Sequence, residues 1–125
     1  MEDDELGTTL IGCAIQVHRA LGPGLLESVY ETCLHHELSK AGIEVKRQVF
    51  LPVEYYGLQF DNAFRADLIV GERLIVEIKA VEKILPIHSS QLMTYLKLSR
   101  RRIGYILNFN VIQLRLGGIR RLVNG

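Results

Sequence analysis

Three charges in the stretch FRADLIVGERLIVEIKA, residues 64–80, could do chemistry: Asp67, Glu77 and Lys79. The runs they interrupt are apolar, with Ala66, Leu68, Ile69 and Val70 in one arm and Leu74, Ile75, Val76 and Ile78 in the other. Such runs belong to strands covered on both faces of a sheet, where an unpaired charge costs several kcal/mol even after relaxation. Alternation along a strand puts Glu77 and Lys79 on one face, about 6.6 Å apart. The turn decides where Asp67 falls. A two-residue loop sets it opposite Val76; a three-residue loop, Gly71-Glu72-Arg73, pairs Val70 with Leu74 and sets Asp67 across from Glu77. Carboxylates about 5 Å apart at Cβ repel each other, and one takes up a proton unless a cation intervenes. A hard divalent cation such as Mg²⁺, which prefers oxygen ligands, satisfies both. A solvated hairpin face with an ordinary cross-strand ion pair is the other reading of these residues.

The elements that must position these charges follow from periodicity. Leu6, Leu10, Cys13, Ala14, Val17 and Leu21 recur at helical spacing and predict a helix from about Asp4 to Leu21, capped by Asp3 or Asp4 and stopped by Gly22-Pro23-Gly24. A second helix is expected from about Leu25 to Ala41. With Leu26 at zero, Tyr30, Leu34 and Leu38 fall at about 40°, 80° and 120°, and Glu27 falls at about 100°, inside the stripe. A carboxylate in a first helical turn also has an ordinary explanation in the helix dipole. Strands are expected over Gln48–Tyr55 and Leu58–Asp61 around Gly57, with Pro52 marking an edge or bulge, and then over the two arms of the opening stretch. A third helix from about His88 to Arg101 carries Gln91 and Tyr95 on one face. Strands Ile103–Phe109, Ile112–Leu116 and Ile119–Val123 close the chain, the last two joined at Gly117-Gly118. This order predicts an α/β (α+β) domain around a mixed β-sheet flanked by helices.

Composition bounds the function. The 125 residues, 48% hydrophobic and 23% charged, fit one folded domain over 1–125 and no apolar run approaches a membrane span. The acidic start resembles no targeting peptide, so a soluble, cytoplasmic protein without a membrane partner is expected. Cys13 and Cys33 lie outside any metal spacing and read as small buried thiols. Net charge is +1, but residues 1–62 carry −6 and residues 63–125 carry +7, a hint of a basic surface. The run Arg100-Arg101-Arg102 complements a helix C-terminus and, with Lys97, Arg115, Arg120 and Arg121, could also hold a phosphate backbone.

Taken together, Gly24-x-x-Glu27-x-x-Tyr30, Asp67-x9-Glu77-x-Lys79 and Gln91-x-x-x-Tyr95 resemble the GxxExxY family of the PD-(D/E)XK nuclease superfamily, on its RecB-like branch. Ala66 stands where the superfamily's name has Pro. The resemblance implies a restriction-endonuclease-like core and Mg²⁺-dependent (or Mn²⁺-dependent) hydrolysis of phosphodiester bonds, in DNA ahead of RNA. It implies Asp67, Glu77 and the Ile78 carbonyl as metal ligands, with Glu27 as a direct or water-mediated ligand and His18 as a further candidate. A buried structural imidazole is the alternative for His18. Lys79 would act as a fixed cation, and Gln91 and Tyr95 would position water or phosphate. So small a chain leaves selectivity to a second copy or a partner subunit. A non-catalytic nucleic-acid-binding or protein-interaction module on the same fold is the competing reading.

Overall fold

A computed structural model describes residues 1–125. The elements run α1 (Asp3–Leu21), α2 (Glu27–Lys40), β1 (Val45–Tyr55), β2 (Leu58–Val70), β3 (Leu74–Lys79), α3 (Pro86–Ser99), β4 (Ile103–Asn108) and β5 (Ile119–Val123). The five strands form one mixed sheet in chain order; β3 and β4 are parallel, and the other neighbours are antiparallel. Parallel neighbours need a crossover, and α3 supplies it. The result is the α+β, restriction-endonuclease-like architecture that the periodicity and the resemblance predict.

Two cores hold the sheet between helices. On one side Leu6, Leu10, Ala14 and Val17 of α1 and Tyr30, Leu34 and Leu38 of α2 pack against Leu68, Val70, Val76, Ile78 and Tyr105. On the other, Leu92 and Leu96 of α3 meet Ile69, Ile75 and Ile106. The approach of α1 is tight: a Cβ at Gly7 would run into the Tyr105 hydroxyl. Tyr30 ties the α1–α2 link to the core, donating to the Gly22 carbonyl at 2.6 Å and accepting from the Leu25 amide at 3.1 Å while its ring stacks on Phe109.

Several boundaries differ from expectation. The N-cap of α1 is Glu2, which leaves Asp3 and Asp4 inside the first turn. The helix expected from His88 starts at Pro86, whose fixed φ suits the first helical position, and stops where Arg100 turns left-handed at φ 58°. The expected strands 58–61 and 64–70 are one strand, β2. A shift of register between Leu51 and Val53, at Pro52, takes up the extra residues on β2 and lets Asn62 and Ala63 run through. The two residues Tyr56-Gly57 turn the hairpin with φ of 44° and 89°, as a primed turn needs. The expected strand Ile112–Leu116 is absent. That segment folds on itself through Leu116 N–H to Gln113 O and Gly118 N–H to Leu114 O. Only Leu114 of its apolar residues enters the core, Ile112 being 92% exposed, and β5 pairs with β4 directly. Both cysteines are free and half-buried rather than buried.

Candidate active site

The register of β2 and β3 brings the first carboxylates together. Val70 pairs with Leu74, Ile69 with Ile75 and Leu68 with Val76, which is the register of the three-residue loop. The next rung holds Asp67 and Glu77. There the ladder gives way to a side chain: the Ile78 amide donates to Asp67 Oδ2 at 2.8 Å. The first two residues of the loop turn left-handed, Gly71 at φ 60° and Glu72 at φ 64°. A Cβ on Gly71 would lie 2.7 Å from Leu6 Cδ2, so packing as well as conformation holds glycine there.

Glu77 is 8% exposed, and its Oε1 has no hydrogen-bond partner. Its pKa is pushed up to about 9, first by burial and then by the Asp67 charge, with Lys79 pulling the other way. A buried carboxyl oxygen without a partner is a high-cost feature in a native interior. It calls for a proton or a cation. Lys79, half-buried on the same strand face, takes part in no ion pair of the structure.

From α3, Tyr95 stacks on Phe64 with ring centroids 4.2 Å apart. Burial raises its phenol pKa, and Glu77 and then Asp67 add to the rise, while a hydrogen bond with Gln91 opposes it. Five expected residues, Asp67, Glu77, Lys79, Gln91 and Tyr95, therefore converge on one end of β3.

Two further expected residues have surroundings other than those expected. Glu27 does not face the core: residues 23–29 are all exposed, so the first turn of α2 stands clear of the layer below it, and the stripe is buried only from Tyr30 onward. The carboxylate that α2 buries is Glu31, one turn later and 6% exposed. His18 is buried, with Nε2 2.8 Å from the Val111 carbonyl, so that nitrogen donates into the scaffold. No group of three or more His, Cys, Asp or Glu side chains is arranged to hold a metal ion by itself. The Asp67–Glu77 pair is a two-carboxylate site, and its all-oxygen donors, one of them orphaned, fit a hard divalent cation.

Other residues at the site had no place in the periodicity. Gln48 of β1 donates through Nε2 to Glu31 Oε1 at 2.6 Å and to Asp67 Oδ1 at 3.4 Å. Arg47 donates to Glu31 Oε2 at 3.1 Å. Fully buried Asn108, paired with Lys79 across the parallel ladder, exchanges hydrogen bonds with both the N–H and the carbonyl of Val81 and so fixes the chain leaving β3.

A family model of the PD-(D/E)XK nuclease superfamily matches residues 4–122. The chain belongs to that superfamily. None of the curated proteins compared with it matches. Membership in the PD-(D/E)XK superfamily supports a nuclease, and the match spans every element that builds the site. No helix of this superfamily member is long and apolar enough to cross a membrane.

The arginine run is not part of this PD-(D/E)XK site. Arg100, Arg101 and Arg102 lie with Asp3, Glu72 and Arg73 at the start of β3, about 17 Å from Lys79 by strand rise. At the Lys79 end, a cleft is lined instead by His18, Arg19, Gln113 and Arg115 and contains no carboxylate. Neither of its arginines enters an ion pair.

Proposed function

We propose that the chain is a divalent-cation-dependent nuclease of the GxxExxY type, on the RecB-like branch, formed by a single domain over residues 1–125. The orphaned, buried oxygen of Glu77 beside Asp67 carries this reading. Asp67, Glu77 and the Ile78 carbonyl would hold Mg²⁺ or Mn²⁺, with Glu27 as a further or water-mediated ligand. Such a cation supplies an acidified water and neutralises charge that develops on phosphate.

The chain's own side chains do the rest. Lys79 sets its ammonium group beside the carboxylates, where it stabilises the phosphoryl oxygens as negative charge builds on them. Tyr95, its phenol pKa raised, stays a hydrogen-bond donor at the working pH and, with Gln91, orients water or phosphate. His18 serves the scaffold through Val111.

The substrate is DNA ahead of RNA, its backbone running from the carboxylate pair into the Arg19–Arg115 cleft. The cleft lies toward the same end of the sheet: Lys79 O accepts from the Phe109 amide, and two residues on, the Val111 carbonyl meets His18 of the cleft. The protein acts in the cytoplasm, with a second copy or partner subunit supplying selectivity.

The test is cleavage of single- and double-stranded DNA in Mg²⁺ or Mn²⁺ by the wild type beside Glu77→Ala and Lys79→Ala. Cation-dependent cleavage lost in both variants supports the assignment. Cleavage that persists in them removes it, and salt-sensitive binding without turnover supports the non-catalytic module.

A further inference from the structure

The strain in β1 is placed where the strand meets the site. Gln48 has φ 52°, a left-handed backbone that non-glycine residues seldom adopt and almost never inside a strand. The ladder records it: Arg47 pairs with Leu68 and Val49 with Ala66, while Gln48 and Asp67, between those rungs, form no ladder pair. In exchange, the Gln48 side chain reaches two carboxylates, Glu31 at 2.6 Å and Asp67 at 3.4 Å. Its orientation is not arbitrary. Both partners are acceptors, so only the amide nitrogen, with its two N–H donors, can face them. Glu31 is itself anchored by Arg47, which also donates to Thr32 Oγ1 at 2.9 Å. Asp67 is thereby held at both oxygens, Oδ2 by the Ile78 amide and Oδ1 by Gln48.

We infer that Gln48 is a positioning residue: through the Glu31 anchor on α2 it fixes the rotation of the Asp67 carboxylate in the orientation that receives the cation. This rests on reading Asp67 as a cation ligand. Partners that orient a ligating carboxylate are commonly worth 10–100-fold in metal affinity. A bridge from helix α2 to edge strand β1 to Asp67 also makes the site depend on how α2 is seated, which neither Asp67 nor Glu77 achieves alone.

The test uses Gln48→Gly, because glycine adopts this φ without strain and the fold keeps its backbone. Gln48→Asn is the second variant; asparagine tolerates the same backbone but is one methylene too short to bridge. Two quantities are read. The first needs no metal: hydrogen exchange of the Ile78 amide, whose acceptor is Asp67. Its rate is expected to rise about tenfold or more in both variants, while the ladder amides of β3 and β4 keep their protection. The second is Mn²⁺ binding, expected to weaken by about tenfold or more, with DNA binding in the absence of metal unchanged. Unchanged Ile78 exchange overturns the inference. So does a loss of protection spread over the whole sheet, which means a merely structural role. Faster Ile78 exchange in the variants of a protein that binds no Mn²⁺ even as wild type upholds Gln48 as the group that orients Asp67 and overturns the cation reading instead.

Discussion

Glu77→Gln is expected to stabilise the metal-free protein as pH rises, and the sign follows from where Glu77 sits. The native carboxyl, 8% exposed and beside Asp67, gives up its proton only near pH 9, whereas in the unfolded chain it does so near 4.5. Between those values the native state holds a proton that the unfolded state has lost. Stability is therefore complete below about 4.5 and falls with rising pH until about 9. Each pH unit costs about 1.4 kcal/mol, so moving from about pH 6 to about pH 8 removes about 3 kcal/mol. Glutamine keeps the shape and cannot titrate. Urea unfolding of both proteins in EDTA, at matched ionic strength across that range, isolates the effect, because titrating groups that do not interact with Glu77 cancel in the difference. The advantage of the variant should grow by about 3 kcal/mol. A difference that stays constant with pH refutes the argument, since it means that Glu77 is as easily ionised in the native state as in the unfolded one.

Further outcomes follow from the same geometry. Because a cation must displace the Glu77 proton, Mn²⁺ affinity should rise about tenfold per pH unit below about pH 9, and calorimetry in buffers of different ionisation enthalpy should report about one proton released per ion bound. If the cleft holds the nucleic-acid backbone, the double variant Arg19→Ala and Arg115→Ala should lower the slope of log affinity against log salt by about 2 on double-stranded DNA, leaving Mn²⁺ binding intact. Gly7→Ala drives a methyl into the Tyr105 hydroxyl and should cost about 1–3 kcal/mol in urea unfolding.

The sequence made one half of the site legible and hid the other. Alternation set Glu77 and Lys79 on one face but left Asp67 to the loop length, because a one-residue change in the loop moves every side chain of the strand to the opposite face; the three-residue register brings it beside Glu77. The α3 pair Gln91 and Tyr95 followed from helical spacing. Gln48 did not follow. Counting back from the Tyr56-Gly57 turn places it opposite Arg65, and only the two-residue shift at Pro52 brings it across from Asp67. No local signal announces the size of a bulge, or a left-handed glutamine. Glu31 was within reach: it falls at about 140° on α2, beside Leu38, and the argument that favoured Glu27 applies to it equally. What separates the two is where the helix first meets the sheet, a tertiary fact. The segment Ile112–Leu116 departs from its expected strand for a similar reason. An apolar alternation that delivers one side chain, Leu114, into a core looks the same in sequence as one that builds a strand.

A cation site formed by Asp67 and Glu77 together underlies the proposed activity. Titration of the metal-free protein with Mn²⁺, followed by the loss of its free-ion electron paramagnetic resonance signal, tests this with no substrate present. Saturable binding by the wild type is expected at about pH 8, abolished or weakened about 100-fold in Asp67→Asn and in Glu77→Gln alike, each variant remaining folded. Binding that is equally strong in both variants, or absent from the folded wild type, contradicts it.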